Sequence, residues 1–354
     1  MKPFGILALV TAALATTVAL SQIVPPAGKT TGPGVQAPLD AREPDVLKTC
    51  KTPPPPRNAP PANAAAKKGP APAAGPRDYT IQAIPGVIAA GAKWTEVWQV
   101  DGNNADGFVA DKNGDLLIAQ NDNSTIIKLT PDGKTSVAYS GLNTSGSLAM
   151  NKKGALFVAN RGLNPSIEQL APKRQVLANK YNGDPLDCIG GVLNDMTADS
   201  KGGVYFTYNG LFYADPKGNV TKYGQNLNTN GIVLSADEKH LYVTNGPTLA
   251  AFDVQKDGSL TNQREFAKWE TGGGDGSTFD STGRLYVTTA PGIQVIGPEG
   301  KVLGTIPTPR GTITVTFGGK DKKTLYAVAR DGAQNKDWII AIPMLAQGPK
   351  GRAK

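Results

Sequence analysis

Short hydrophobic runs alternate with turn residues along most of the chain. From Lys93 onward, runs such as "LLIAQ" (Leu116–Gln120) and "LYVTT" (Leu285–Thr289) are separated by turns such as "PDGK" (Pro131–Lys134) and "GPEGK" (Gly297–Lys301). Proline presets φ in such turns, whereas Gly, Asp and Asn tolerate left-handed conformations. The pattern predicts an all-β fold made of many short strands.

The strand pattern repeats. In each copy a start residue opens a short strand and a turn, and an apolar strand follows ten or eleven residues after the start. The first five start residues are separated by 40, 48, 36 and 45 positions, and a looser sixth copy begins near Thr312. Strand-rich repeats of this length are typical of β-propeller blades. The five start residues are Asp106, Gly146, Asn194, Asn230 and Asp275.

The repeats predict a six-bladed β-propeller over residues 93–346. Such a ring must be closed by the two ends of the chain. We expect "KWTEVWQV" (Lys93–Val100) to supply the outer strand of the blade that "DWIIAIPML" (Asp337–Leu345) completes.

The N-terminal part of the chain differs in composition from the repeats. Lys2 precedes an apolar run from Phe4 to Leu20, which is typical of an export signal and is also the lower limit for a membrane span. We therefore expect a signal peptide over residues 1–21, with a membrane anchor as the alternative, and an exported protein, periplasmic or secreted. Residues 22–92 are rich in Pro and Ala and are predicted to be a linker.

The positive charge lies in the tails. Residues 1–92 carry nine Lys/Arg and four Asp/Glu, residues 93–346 carry 25 of each sign, and the basic tail 347–354 carries three Lys/Arg. A nucleic-acid-binding protein would have a basic face on its folded part. The distribution excludes a nucleic-acid partner and leaves tethering to a membrane through the N-terminal segment as an alternative.

The chain has two cysteines, Cys50 and Cys188. Export would permit a disulfide between them, which would attach the N-terminal segment to the propeller. Two unconnected thiols are the alternative, and the sequence does not decide between them.

The repeats also predict a candidate site. The innermost strand of each blade lines the central axis, so residues of equal phase lie at one level around it. Four of these positions carry oxygen side chains: Asp106, Asn194, Asn230 and Asp275. Two nearby carboxylates repel each other unless a cation or a proton intervenes. Oxygen ligands without His or Cys favour Ca²⁺, with Mg²⁺, Mn²⁺ and Zn²⁺ as alternatives.

Other acidic residues are explained by turns. Asp111, Asp199 and Asp280 occupy the turn of a "DxxG" pattern, and we interpret them as structural. The chain has one histidine, His240, at a turn far in phase from the ring. This excludes a Ser-His-Asp nucleophile.

Three stretches carry a family resemblance: "NDMTADSKGGVYFT", "NGIVLSADEKHLYVTN" and "DGSTFDSTGRLYV". They resemble the senescence-marker-protein/gluconolactonase/luciferin-regenerating-enzyme family of six-bladed propellers. The resemblance implies a catalytic divalent metal on the axis, with Asn230 and Asp275 as ligands and Asn194 as a ligand or substrate contact.

The chain departs from that family in two places. Asp106-Gly107-Phe108 stands where the family usually has Glu-Gly-Pro, and "IGGVLND" lacks the Arg that members often place before the Asn-Asp motif to hold a sugar acid. The missing Arg weighs against a sugar lactone as the substrate more than it weighs against hydrolase activity as such.

We therefore expect a metal-dependent hydrolase of a lactone or related ester, with a small molecule as its substrate. The cation would polarise the carbonyl and activate water, and Asp275 would accept or position the proton of that water. The alternative is a non-enzymatic exported propeller that binds a ligand or a protein and uses calcium structurally.

Overall fold

The computed structural model describes residues 42–54, 76–331 and 334–350. The described residues form six four-stranded antiparallel sheets, each of which follows the chain order except where the ring closes. Blade 1 consists of β2 (Phe108–Ala110), β3 (Leu116–Gln120), β4 (Thr125–Leu129) and β5 (Thr135–Tyr139). Blade 2 consists of β6 (Ser145–Met150), β7 (Leu156–Asn160), β8 (Ser166–Ala171) and β9 (Gln175–Ala178).

A small excursion precedes the third blade. It contains the two-stranded pair β10 (Lys180–Tyr181) and β11 (Asp184–Pro185), followed by a 3-10 helix (Leu186–Ile189). Blade 3 consists of β12 (Met196–Ala198), β13 (Val204–Thr207), β14 (Leu211–Ala214) and β15 (Val220–Tyr223). Blade 4 consists of β16 (Thr229–Leu234), β17 (His240–Asn245), β18 (Thr248–Val254) and β19 (Leu260–Lys268).

The last two blades complete the ring. Blade 5 consists of β20 (Ser277–Phe279), β21 (Leu285–Thr289), β22 (Gly292–Ile296) and β23 (Val302–Pro307). Blade 6 consists of β24 (Gly311–Gly318), β25 (Thr324–Asp331), β26 (Lys336–Pro343) and, as its outer strand, β1 (Thr95–Asp101). Strand β1 runs antiparallel to β26, so both the six-bladed propeller and its predicted closure are confirmed.

The inner strands alternate in form around the ring. In blades 1, 3 and 5 the inner strand has three residues. In blades 2, 4 and 6 it is longer, and its pairing with the next strand shifts at a bulge. A bulge re-aims the side chains beside it. The six blades are therefore three pairs of unlike neighbours.

The hydrophobic core lies between blades. Each cluster combines residues from adjacent sheets, as when Val109 of blade 1 packs with Leu148 of blade 2, or Phe157 of blade 2 with Phe206 of blade 3. Nearly every residue of the two innermost strands of a blade is buried. Both faces of each sheet are thus covered by neighbours, which holds the axial ends of the strands in fixed positions.

Part of the predicted linker belongs to the core. Ile81, Ile84, Val87, Ile88 and Trp94 are buried in one cluster with residues of blades 5 and 6. Hydrogen bonds fix this segment, since Val87 O accepts from Leu345 N at 2.9 Å and Gly86 O from Arg284 Nη2 at 2.9 Å. The folded body therefore takes in residues N-terminal to position 93.

A disulfide attaches a second N-terminal piece. Helix α1 (Glu43–Leu47) precedes Cys50, which is bonded to Cys188 in the 3-10 helix with a Cα–Cα distance of 5.5 Å. Of the two alternatives that the sequence left open, the structure contains the disulfide.

The predicted signal segment 1–21 lies outside the described residues, as do much of the Pro/Ala-rich stretch and the last four residues of the basic tail. Within the described ranges, no helix is long and apolar enough to cross a membrane.

Candidate axial site

Hydrogen bonds between neighbouring blades define the ring of start residues. Gly107 N donates to Gly146 O at 2.7 Å, and Gly276 N donates to Ile313 O at 2.8 Å. These equivalent bonds join blade 1 to blade 2 and blade 5 to blade 6. The sixth ring position is therefore Ile313, one residue after Thr312, near which the sequence pattern began the sixth copy, and it lies at the bulge in β24.

The glycine after an acidic start residue is explained by close approach. A Cβ on Gly276 would lie 2.5 Å from Thr314 Oγ1 of the next blade. In blade 3 the corresponding residue is Asp195, whose carboxylate accepts from Ser147 Oγ at 2.6 Å and from Ile232 N at 3.1 Å. The residue after the start thus joins adjacent blades, while the start residue itself lines the partly open axis.

Two of the predicted residues contact each other directly. Asn194 Nδ2 donates to Asn230 Oδ1 at 2.7 Å. Both residues are partly exposed at the ends of neighbouring inner strands. This bond joins the amides of blades 3 and 4 and leaves the second lone pair of the Asn230 oxygen for another partner.

Asp106 is held by two polar side chains. Asn121 Nδ2 donates to its Oδ2 at 2.9 Å, and Arg161 Nη1 makes an ion pair with the same oxygen. Burial opposes ionisation of Asp106, but the charges of Arg161 and Arg330 and these hydrogen bonds outweigh it and lower its pKa below the ordinary value. The carboxylate is therefore ionised at neutral pH and already has a cationic partner.

Arg161 connects three blades. It follows β7 of blade 2, and its side chain is 10% exposed. Its Nε donates to Leu193 O at 2.8 Å and its Nη2 to Asn194 O at 2.5 Å, while Nη1 reaches Asp106 in blade 1. The guanidinium thus lies beside the Asn-Asp motif, where the sequence alone showed no basic residue.

A glycine makes room for this arginine. Gly146 is the ring position of blade 2, and a Cβ built on it would lie 1.9 Å from Arg161 Nε. Any side chain at residue 146 would displace the guanidinium. The ring position that lacks a side chain is therefore filled by an arginine from the next strand of the same blade.

A second arginine occupies the equivalent position of blade 6. Arg330 Nε donates to Asp337 Oδ1 at 2.7 Å, and its Nη2 donates to Asn103 Oδ1 at 2.5 Å. Its charge acts on both Asp106 and Asp275. Burial raises the pKa of Asp337, although the charge of Arg330 opposes this. Arg161 and Arg330 therefore flank blade 1 and its Asp106 from both sides.

Sequence reasoning missed both arginines because they lie at the ends of second strands and not at start positions. A signal was present: Asn160-Arg161 and Ala329-Arg330 occupy the same phase after β7 and within β25. Comparing the second strands of blades 2 and 6, as was done for the first strands, would have identified them.

The residues interpreted as structural are confirmed in that role. In Asp111, Asp199 and Asp280 one carboxylate oxygen accepts backbone N–H groups two and four residues later. His240 Nδ1 lies 3.2 Å from Asp253 Oδ1. His240 begins β17, whereas the ring end of β16 pairs with the other end of β17. None of these side chains belongs to the axial site.

The donor set suits a hard cation only in part. Asn194, Asn230 and Asp275 offer oxygens and no nitrogen or sulfur ligand, as Ca²⁺ prefers. Asp106, by contrast, is engaged by Arg161. Among the described residues, no group of three or more His, Cys, Asp or Glu side chains is arranged to hold a metal ion.

A family model describing the SMP-30/Gluconolactonase/LRE-like region matches residues 136–330, which is more than half of the chain. The chain belongs to this family. The matched residues run from blade 1 to blade 6 and contain five of the six ring positions and both arginines.

Individual relatives agree with the family assignment. A gluconolactonase of Zymomonas mobilis is 25% identical over 291 residues, covering 69% of this chain and 78% of that protein. Lactonase drp35 of Staphylococcus saprophyticus is 28% identical over 303 residues, covering 75% and 90%. A solved gluconolactonase from Xanthomonas campestris shares the fold, with a TM-score of 0.63 and 20% identity over 78% of this chain and 99% of that one.

Proposed function

We propose that the protein hydrolyses the ester bond of a lactone at the axial site. The observation that carries the proposal is the meeting of polar side chains from blades 1, 2, 3 and 4, in which Arg161 joins Asp106 to Asn194 and Asn194 bonds Asn230. Membership of a family whose relatives include gluconolactonases and a lactonase supports this reaction class.

The reaction adds water to the lactone carbonyl and breaks the ring C–O bond, giving a hydroxy acid. Asp275 is proposed to accept the proton of the attacking water and to pass it to the leaving alkoxide. Asn194, whose amide is oriented by Asn230, is proposed to contact the substrate.

A divalent cation, with Ca²⁺ preferred for oxygen donors, is proposed as the cofactor. Asn194, Asn230 and Asp275 would hold it, and it would polarise the carbonyl and lower the pKa of bound water. Asp106 was predicted as a fourth ligand from its phase, and it is paired with Arg161.

Hydrolysis of a panel of lactones tests the proposal. We expect turnover by the wild type, loss of about 10²-fold or more in Asp275→Ala, consistent with removal of a general base, and loss of turnover after chelation that added Ca²⁺ restores. The matched control is Asp280→Asn, which changes a carboxylate of the same blade in the turn at the far end of β20.

The result also separates the alternative function. A folded wild type that hydrolyses no lactone or ester in the panel would contradict the proposal and favour an exported binding protein. If Asp275→Ala leaves turnover unchanged, the protein is a lactonase, but Asp275 is not its general base.

A further inference from the structure

Two arginines contact the next blade of the ring in the same way. Arg161, which follows β7 in blade 2, donates from Nε to Leu193 O at 2.8 Å, and Leu193 immediately precedes the start residue of blade 3. Arg330, near the end of β25 in blade 6, donates from Nη2 to Ala105 O at 3.2 Å, and Ala105 immediately precedes the start residue of blade 1. Each arginine thus holds the backbone in front of a start residue.

Blades 4 and 5 make this connection with backbone atoms alone. Gly246 follows β17 in blade 4 and occupies the same phase as Arg161. Its carbonyl oxygen accepts from Gly274 N at 3.0 Å, and Gly274 immediately precedes the start residue of blade 5. In blades 1, 3 and 5, the residue in front of the start residue is therefore held by one position of the preceding blade. A connection that recurs in three forms indicates that the start residues need to be held in place.

Arg161 also holds a start residue directly. Its Nη2 donates to Asn194 O at 2.5 Å and lies 3.4 Å from Asn194 Oδ1. We propose that Arg161 is a positioning residue of the axial site: it fixes the backbone of Leu193 and Asn194 and thereby orients the amide of Asn194 toward the substrate. This inference rests on the proposed function, in which Asn194 contacts the substrate.

The segment in front of Asn194 needs such a connection. Residues 190–195 lie between the 3-10 helix and β12 and belong to neither. Gly190 and Gly191 have positive φ values of 77° and 88°, and glycine leaves a backbone that is not otherwise held with many accessible conformations. On one side Asn194 N donates to Thr207 O at 2.8 Å. Arg161 adds bonds to two successive carbonyl groups, at the point where the segment reaches the ring.

The arginine is itself held firmly. Its side chain is 10% exposed, its Nη1 pairs with Asp106 in blade 1, and it fills the space that Gly146 leaves open. A guanidinium presents its N–H groups in a fixed planar arrangement. The bond to Asp106 on one side therefore sets the direction of the bonds to Leu193 and Asn194 on the other.

Hydrogen exchange followed by mass spectrometry tests the proposal on the full chain without a substrate. We expect Arg161→Met to speed exchange of the Asn194 amide about tenfold or more, because a backbone that loses its bonds opens more often. Arg264→Met is the matched control, since Arg264 pairs with Asp253 on the outer strand of blade 4. Unchanged exchange in Arg161→Met, or equal acceleration in the control, would overturn the proposal.

A second variant keeps the test decisive if Arg161→Met does not fold. Gly146→Ala leaves the arginine in the chain, but its Cβ would lie 1.9 Å from Arg161 Nε and so displaces the guanidinium. Faster exchange of the Asn194 amide in Gly146→Ala supports the proposal, and exchange at the wild-type rate contradicts it.

A double-mutant cycle on kcat/KM separates positioning from a general structural effect. With glucono-lactone as substrate, we expect Arg161→Met and Asn194→Ala each to lower kcat/KM about tenfold or more, since a small misplacement of a substrate contact is costly. The double variant should lie within about threefold of the less active single variant, because Arg161 then has no amide left to orient. Losses that multiply would mean that Arg161 acts independently of Asn194.

Direct contact between Arg161 and the substrate would give a different result. Glucaro-lactone carries a carboxylate where glucono-lactone has a terminal CH₂OH group. If Arg161→Met slowed hydrolysis of the glucaro-lactone alone, Arg161 would be an anion-binding residue and the proposal would be wrong.

The exchange result is independent of turnover. Faster exchange of the Asn194 amide in Arg161→Met, in a protein that hydrolyses no lactone, would retain this inference and contradict the proposed function. An active lactonase in which Arg161→Met leaves exchange unchanged would do the reverse.

Discussion

At the residue scale, the site depends as much on a missing side chain as on those present. Four ring positions carry Asp or Asn, one carries Ile313, and one is Gly146, whose space is filled by Arg161. The phase of the first strands predicted four oxygen side chains, of which hydrogen bonds connect those of blades 1, 3 and 4 through Arg161. It could not predict Arg161 and Arg330, because a long side chain from a neighbouring strand can fill a position that the repeat leaves empty.

Gly146→Ala should disturb the site without touching a charged residue. The new Cβ would force Arg161 from Asp106, and breaking a buried ion pair costs of order 3 kcal/mol of unfolding free energy. Urea unfolding measures the loss. Gly311→Ala is the control, because its Cβ would meet nothing closer than 3.9 Å; equal losses in both variants would contradict the explanation.

Arg330→Met should lower the free energy of unfolding more than a substitution at the surface does. It leaves Asp337, which is 1% exposed, without its cation, so we expect a loss of roughly 3–5 kcal/mol in the free energy of unfolding. The double variant Arg330→Met/Asp337→Asn removes the unpaired charge and should recover part of this loss. Denaturant titration of the three proteins decides it, and no recovery in the double variant would refute the electrostatic cause.

At the element scale, one strand from each end of the propeller closes the ring. The hydrophobic pattern predicted both β1 and its pairing with β26, because six repeats require a closed array. It did not predict the bulges of β6, β16 and β24, since a bulge adds one residue without changing the alternation of residue types that precedes it.

Removal of β1 should expose the edge of β26. We would compare chains that begin at residue 95 and at residue 102, which differ only in this strand. The shorter chain should melt at a lower temperature and self-associate, because an unpaired edge strand pairs with other chains. Size-exclusion chromatography and thermal unfolding measure both effects. Identical behaviour of the two chains would mean that β1 does not secure the ring.

At the scale of the whole molecule, the chain before the propeller is attached to it twice. Residues 76–94 pack against blades 5 and 6, and Cys50 is bonded to Cys188 before blade 3. Composition predicted a linker over residues 22–92 because Pro and Ala dominate it. Composition averages over the segment and so conceals Ile81, Ile84, Val87 and Ile88, which are buried in one cluster with residues of blades 5 and 6.

Cys50→Ser/Cys188→Ser should lower stability and leave the axial site intact. The bond joins residues 138 apart, and the chain-entropy model assigns about 4–5 kcal/mol to a loop of this size. Reversible urea unfolding measures the change, and lactone turnover at low temperature measures the site. Loss of turnover in the still-folded variant would show that the N-terminal attachment matters for the site.

The alternation of short and bulged inner strands has a consequence for how such a ring can change size. Each blade with a bulged inner strand lies between two blades with short inner strands. The repeating unit of the propeller is therefore a pair of blades and not a single blade. Duplicating or deleting one blade would place two inner strands of the same kind side by side. Deletion of two adjacent blades would preserve the alternation of inner strands in this ring, whereas deletion of a single blade would not.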